Sequence, residues 1–155
     1  MLTRRMVTDF EGQTDLLRAA RYGVIEAVDG QFSRVVLRSW PKLISWPDVL
    51  VLGRLHHRRR SGNRCRLYFN QPRRFSSFLS IPYIVSSRGT TYRTVLAALA
   101  ALDRIAKLKQ SDALLCHVVN HALSDQMMER VGWERHCLNR FGRHFIKRFY
   151  GEYPV

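Results

Sequence analysis

A short polar turn between an apolar segment and a helical segment holds residue types that bind phosphate. In "SIPYIVSSRGTTYRTVLAALAALDRI", the turn contains one glycine, two threonines and two arginines. A helix N-terminus offers N–H groups without intrahelical partners and the positive end of the helix dipole, and both favour an anion. Arginine adds charge-assisted hydrogen bonds, and glycine lets the backbone approach closely. The turn is therefore either a phosphate site or, with Thr90 or Thr91 as N-cap, only a capped helix start.

The elements that position this turn are predicted from hydrophobic patterns in the second half of the chain. Residues 76–87 are apolar almost throughout, which is typical of a central strand. Pro82 lacks a ladder donor and therefore indicates a bulge or a separated neighbouring strand there. A helix from Thr91 to Lys109 follows from apolar residues at helical spacing, namely Val95, Leu99, Leu102 and Ala106. A strand over 112–119, a helix ended by Gly132 and two last strands complete the order β–α–β–α–β–β.

The first half of the chain reads as strands with one short helix. Asp29-Gly30 is a strong hairpin signal between two strand patterns. Two further strands, over 48–60 and 64–70, are joined across the turn-rich triplet 61–63. We expect a single domain, 1–155, with a strand-rich half (1–79) followed by a second half (80–150). The patterns predict an α+β protein (α/β in a looser scheme) with a mixed, largely antiparallel twisted sheet and helices on both faces.

The net charge of +14 makes this a strongly basic protein. Between Arg54 and Arg74 there are eight arginines and no acidic residue. Such a stretch favours nucleic acid, phosphates or an acidic protein as a partner. The chain carries no signature of a known nucleic-acid-binding module. A solvated edge hairpin, whose charges prevent association between sheets, explains the same arginines without a partner.

The remaining totals exclude several classes of protein. The three cysteines are odd in number and contain no CxxC pair, so a disulfide framework is not expected. His117 and His121 have no evident third ligand, so we expect no metal site. The N-terminus lacks the apolar core of a secretory signal, and no stretch approaches the roughly 20 apolar residues of a membrane helix. We therefore expect a cytoplasmic protein without a membrane partner.

The element order and several motif positions resemble the GNAT superfamily of acyl-CoA-dependent N-acyltransferases. In that family a strand ends at a turn of the form Q/R-x-x-G-x-G/A, whose amides bind the pyrophosphate of coenzyme A. Arg88 stands at the Q/R position, whereas Thr91 and Arg93 replace the glycines. The next strand ends in Asn120, and Gly132-Trp133 matches the family's Gly-Phe pair. The resemblance covers residues 80–150.

The resemblance implies a GNAT-like fold and transfer of an acyl group, in its usual form acetyl from acetyl-CoA, to an amine of unknown identity. It also implies a set of residues that contact coenzyme A or acetyl-CoA, with the pyrophosphate at Gly89–Arg93. These residues are Tyr83, Ile84, Val85, Arg88, Gly89, Thr90, Thr91, Tyr92, Arg93, Asn120 and Ser124.

The chemistry of the family requires a base for the acceptor ammonium and an acid for the leaving thiolate. Many members use a tyrosine as the acid, and Met128 takes its position here. The candidate catalytic residues are Tyr83, His117 and Glu129. Further proton donors (Tyr92 and Cys116) and bases (Glu134 and His121) stay open. Two alternatives also remain, a degenerate relative that binds without catalysis and a nucleic-acid-binding protein on the same fold.

Overall fold

The computed structural model describes residues 5–40, 62–118, 124–139 and 142–154. Its strands are β1 (Met6–Val7), β2 (Tyr22–Val28), β3 (Gln31–Arg38), β4 (Arg64–Asn70), β5 (Phe78–Ser86), β6 (Ala113–Val118), β7 (Glu134–Asn139) and β8 (Gly142–Arg148). The helices of these residues are α1 (Thr14–Ala19), α2 (Tyr92–Lys109) and α3 (Asp125–Arg130). The strand predicted over 48–60 lies outside the described residues.

One eight-stranded sheet carries the described strands in the order β1-β3-β2-β4-β5-β6-β8-β7. Only β5 and β6 pair in parallel, and α2 is the crossover between them. The remaining pairs are antiparallel, so the predicted α+β class with a mixed, largely antiparallel sheet is confirmed. The β2–β3 hairpin turns at Asp29 and Gly30, as predicted, with φ values of 51° and 79°. Positive φ at both central residues is the geometry that Asp-Gly favours.

The core lies between α2 and one face of the sheet. The helix buries Val95, Ala98, Leu102 and Ile105, close to the apolar stripe that its sequence predicts. These residues belong to one cluster with alternate residues of the strands, including Ile25, Ala27, Cys65, Leu67, Phe69, Leu114 and Phe145. Period-two alternation sends the residues between them to the opposite face. The turn before α2 therefore leads into a helix that is well packed in the core.

A buried ion pair ties β8 to the underside of α2. Lys147 Nζ lies 2.8 Å from Asp103 Oδ2, and both residues are buried. Burial raises the pKa of the Asp103 carboxyl, although the hydrogen bond from Lys147 opposes that shift. Removing one partner would leave an uncompensated buried charge, which typically costs about 3–5 kcal/mol. The pair therefore fixes β8, the neighbour of β6, relative to the helix.

The last elements close the core beyond β6. Ser124 is the N-cap of α3, and its hydroxyl accepts a hydrogen bond from Met127 N at 3.2 Å. Met128 and Trp133 are buried in the core cluster, and Gly132 follows the helix with φ of 89°. The chain end docks on its own domain, since Tyr153 Oη donates to Ser111 O at 2.9 Å. Within the described residues, no helix is long and apolar enough to cross a bilayer.

Candidate functional site

The two parallel strands at the centre of the sheet separate halfway along β5. Their ladder runs from Phe78–Ala113 to Ile81–Cys116 and ends there. Beyond it, β5 continues to Ser86 along β4, whereas β6 continues to Val118 along β8. An opening therefore forms between residues 82–86 of β5 and residues 117–118 of β6.

Pro82 lies where the opening begins, and β5 carries a bulge at the same place. Tyr68 pairs with Tyr83 and Asn70 pairs with Ser80, so β5 has one more residue than β4 across this step. A bulge accommodates proline because the extra residue does not need a ladder hydrogen bond. The sequence prediction of a bulge or a separated strand at Pro82 is confirmed, and both occur together.

The turn after β5 is fastened to the beginning of β4. Ser87 N and the Thr90 hydroxyl both donate to Arg64 O, at 3.0 and 2.7 Å. The buried Ser87 hydroxyl accepts from Arg64 N at 3.0 Å and donates to Gly62 O. These bonds hold the turn against residues 62–64 and fix where α2 begins.

Asn63 completes the cap of α2 from another part of the chain. Thr91, one of the two predicted candidates, is the N-cap, and its hydroxyl accepts from Thr94 N at 3.4 Å. Asn63 Oδ1 accepts from Thr91 N at 2.8 Å and from the fully buried Thr94 hydroxyl at 2.6 Å. The Thr94 hydroxyl in turn accepts from Gly30 N at 2.8 Å. Sequence reasoning recognised Asn63 only as a turn residue and missed this role.

Several donors of the turn remain after these bonds are counted. The N–H groups of Arg88, Gly89, Tyr92 and Arg93 have no partner among the described residues. Both arginines are exposed, and neither forms an ion pair with a carboxylate of the described chain. N–H groups at a helix N-terminus and guanidinium groups are donors that favour an anion. The turn thus fits an anion even though its helix start is already capped.

Two glycines of this region are required by their neighbours. A Cβ at Gly89 would lie 3.2 Å from Gly62 O, so this glycine allows two turns to approach each other. A Cβ at Gly30 would lie 3.0 Å from Arg93 Cδ. The stem of Arg93 therefore lies along the hairpin turn of β2 and β3, which restricts where its guanidinium can reach.

Most of the predicted cofactor residues belong to the second half of β5 and the turn that follows it. Tyr83, Ile84 and Val85 are half-buried on the part of β5 that borders the opening, and Arg88–Arg93 follow directly. Ser124 acts as a helix cap at the start of α3. Asn120 lies outside the described residues, as does His121, a candidate base.

The candidate catalytic residues differ in how close they lie to the opening between β5 and β6. Tyr83 follows Pro82, where the opening begins. Its ring stands edge-on to the ring of Tyr68, with centroids 6.1 Å apart. His117 borders the opening from β6, where its backbone pairs with His144. Glu129 is exposed on α3, which packs on β7, two positions from β6 in the sheet.

Two further residues considered from the sequence are enclosed in the core. Met128, at the position of the family's tyrosine, is only 1% exposed. Burial raises the pKa of the Cys116 thiol to about 12. Cys116 lies two residues after Leu114 on β6, on the same α2 side of the sheet, so it does not fit the role of a proton donor to the leaving thiolate.

The chain was compared with protein families, curated proteins and solved structures. No family model matches the sequence, and no curated protein matches it. Among solved structures, a crystal structure of nourseothricin acetyltransferase matches with a TM-score of 0.48 and 14% identity, covering 93% of this chain and 97% of that chain. Similarity at this level does not assign a substrate to this chain.

Proposed function

We propose that this chain is an acyl-CoA-dependent N-acyltransferase, which transfers an acetyl group from acetyl-CoA to an amine. The observation that carries the proposal is that the ladder between β5 and β6 ends at Ile81–Cys116, while β5 continues to Ser86 and leads into the donor-rich turn before α2. An extended acyl-thioester arm needs a slot between strands, and its pyrophosphate needs a donor-rich turn at one end of that slot. Both features lie on one segment, residues 82–93.

The cofactor residues have separate roles in this proposal. Tyr83, Ile84 and Val85 line the edge of β5 along which the arm would lie. The N–H groups of Arg88, Gly89, Tyr92 and Arg93 would bind the pyrophosphate, and the exposed arginines would neutralise its charge. Thr90 and Thr91 would hold the turn in shape through their hydroxyl bonds to Arg64 O and Asn63. In this proposal the arginine charges and the hydrogen bonds that hold the turn compensate for the missing glycines.

Acetyl-CoA would supply an activated thioester carbonyl, and the chain would position the reactants and supply a proton. The neutral acceptor amine would attack the carbonyl carbon, so that an N–C bond forms and the C–S bond breaks. Tyr83 lies where the opening begins, and it is our candidate for the hydroxyl that donates a proton to the leaving thiolate. Met128 has no proton to donate, and the Cys116 thiol is buried in the core. The base that accepts the ammonium proton is not assigned, and His117 borders the same opening through its backbone.

A turnover assay tests the proposal. Purified protein is incubated with acetyl-CoA and a panel of amines that includes aminoglycosides, polyamines, lysine peptides and aminoacyl esters, and loss of the thioester absorbance is followed. Amine-dependent loss above the rate without protein would support acyl transfer. Binding of coenzyme A without turnover for any amine would favour the degenerate relative, and absence of both would contradict the proposal.

A further inference from the structure

Three charged side chains stand side by side across the strands β3, β2 and β4. Glu26 is the register partner of both Arg34 and Arg66. Arg34 Nε lies 2.6 Å from Glu26 Oε2, and Arg66 Nε lies 3.2 Å from Glu26 Oε1. Each carboxylate oxygen therefore holds one guanidinium group. The backbones of the two arginines are about two strand spacings, roughly 9.5 Å, apart, and their side chains converge on Glu26.

The geometry of this row leaves both arginines able to bind an anion. Their side chains are 42% and 34% exposed, whereas the Glu26 side chain is 14% exposed. Both ion pairs are made through Nε, and a guanidinium group has further N–H donors on its two terminal nitrogens. Arg34 Nη1 also lies 3.5 Å from Met6 Sδ, which limits its movement. The carboxylate cancels one of two positive charges but holds both donors in place.

An aromatic row follows two residues along the same strands, and another arginine lies beyond it. Val24 pairs with Tyr68, and Tyr68 pairs with Tyr83. The Arg38 guanidinium carbon lies 5.6 Å from the centroid of the Tyr68 ring. Successive rows are about 6.6–6.8 Å apart along the strands. Arginine, tyrosine and arginine thus alternate across one surface, which we call the arginine–tyrosine face (Glu26, Arg34, Arg38, Arg66, Tyr68 and Tyr83).

This face is opposite the one on which α2 packs. Ile25 and Leu67, which alternate with its residues, belong to the core cluster with the helix. Among the described strands β1–β5, Glu26 is the only acidic residue. Arg64 lies on the same face, two residues from Arg66. Four arginines against one carboxylate give this surface a clear preference for an anionic partner.

We propose that the arginine–tyrosine face binds a single-stranded nucleic acid. The arginines on either side of the tyrosine row contact successive phosphates, and the half-buried tyrosines contact the bases between them. An acidic peptide would complement the charge but would have no planar group for the aromatic row. The binding is not base-specific, because these contacts involve phosphates and ring faces. The inference does not depend on acyl transfer.

The test measures binding of a fluorescein-labelled single-stranded RNA of about 12 nucleotides by anisotropy, at several salt concentrations and without coenzyme A. The double variant Arg34→Gln/Arg66→Gln should bind roughly tenfold more weakly. It should also flatten the slope of log K against log salt by about 1.4, for two lost phosphate contacts. Arg104→Gln/Arg130→Gln, with the same change in net charge on helices α2 and α3, should retain most of the affinity.

Glu26→Gln separates an organised site from a merely basic surface. This substitution raises the net charge by one. It also removes the carboxylate that holds both guanidinium groups, so we expect weaker binding. Arg34→Lys/Arg66→Lys keeps the charge and removes the Nε contacts, and it should also bind more weakly; it serves if the glutamine variant does not fold. Tighter binding by Glu26→Gln, equal losses in the two double glutamine variants, or equal competition by polyglutamate would overturn the proposal.

Discussion

Ile81 and Cys116 form the last pair of the parallel ladder between β5 and β6. One residue later, Pro82 lacks a backbone donor, and β5 bulges while it stays paired with β4. Had the ladder continued, the centre of the sheet would be closed, and the turn at residues 87–93 would cap a helix with no slot beside it. The end of this ladder is therefore the feature that joins the fold to the proposed chemistry.

Removal of the Asn63 side chain should destabilise the protein. Asn63→Ala deletes the acceptor shared by Thr91 N and the buried Thr94 hydroxyl. Leaving a buried donor such as the Thr94 hydroxyl without this partner costs about 1–3 kcal/mol, and we expect a fall of that size in the free energy of unfolding in urea. Asn63→Asp keeps the acceptor and should lose less stability. Equal stability of the alanine variant and the wild type would show that the cap does not depend on Asn63.

Tyr83→Phe should lower turnover more than it lowers coenzyme A binding. The change removes only the hydroxyl proposed to protonate the thiolate, and general-acid contributions are typically about 100-fold or more in rate. The ring that packs against Tyr68 stays, so the fold should be kept. Tyr150→Phe, at an exposed site, is the control. A normal kcat for Tyr83→Phe, with the best amine found in the panel, would assign the proton to another group.

Lys109 should make stability depend on pH in the alkaline range. Its ammonium group donates to Arg18 O at 2.9 Å, to Gln71 Oε1 at 3.1 Å and to Ala20 O. Burial, together with the nearby Arg21, lowers the pKa of Lys109 from 10.5 to about 8. The unfolded chain then binds the proton more tightly than the folded chain does, so stability rises with pH between about 8 and 10.5.

The Lys109 effect is isolated by comparison with Lys109→Met. All other titrating groups are shared, so their pH dependence cancels in the difference between the two proteins. We expect the free energy of unfolding of the wild type to gain on that of the variant as pH rises from about 7 to about 10. A constant difference, measured by urea unfolding across this range, would argue against a lowered pKa.

The core cysteines should be unreactive in the folded protein. Burial raises the pKa of the Cys65 and Cys116 thiols to about 12, and both residues are buried. Because the thiolate is the reactive form, neither should react with a thiol reagent at neutral pH until the chain unfolds. Mass spectrometry of iodoacetamide-treated protein, with and without urea, checks this. Rapid labelling of Cys116 without urea would show that the β5–β6 opening reaches the core.

Local patterns predicted the elements of this fold well, because each depends on neighbouring residues. Asp29-Gly30 needs only its own turn geometry, and the stripe on α2 needs only helical spacing. Pro82 indicated the separation of the strands because its missing donor acts at its own position. Thr90 and Thr91 were recognised as the two N-cap candidates for the same reason, and the structure selects Thr91.

The features missed from the sequence depend on strand register. Asn63 reaches Thr94 across 31 positions, and Glu26 meets Arg66 only because β2 pairs with β4 in one particular register. Periodicity tells which face a side chain occupies but not which partner it finds there. The residues that contact coenzyme A were predicted from the resemblance to a family, and the pyrophosphate contacts of Gly89–Arg93 stay a prediction.

The most direct test of the account is a calorimetric titration of coenzyme A and acetyl-CoA into the wild type and two variants. We expect micromolar binding to the wild type and a loss of roughly tenfold or more in Arg93→Glu, because a charge-assisted contact becomes a repulsion. Arg104→Glu, farther along α2, should bind nearly as the wild type does. Absence of binding at millimolar ligand, or identical affinities for both variants, would contradict a cofactor site at the Arg88–Arg93 turn.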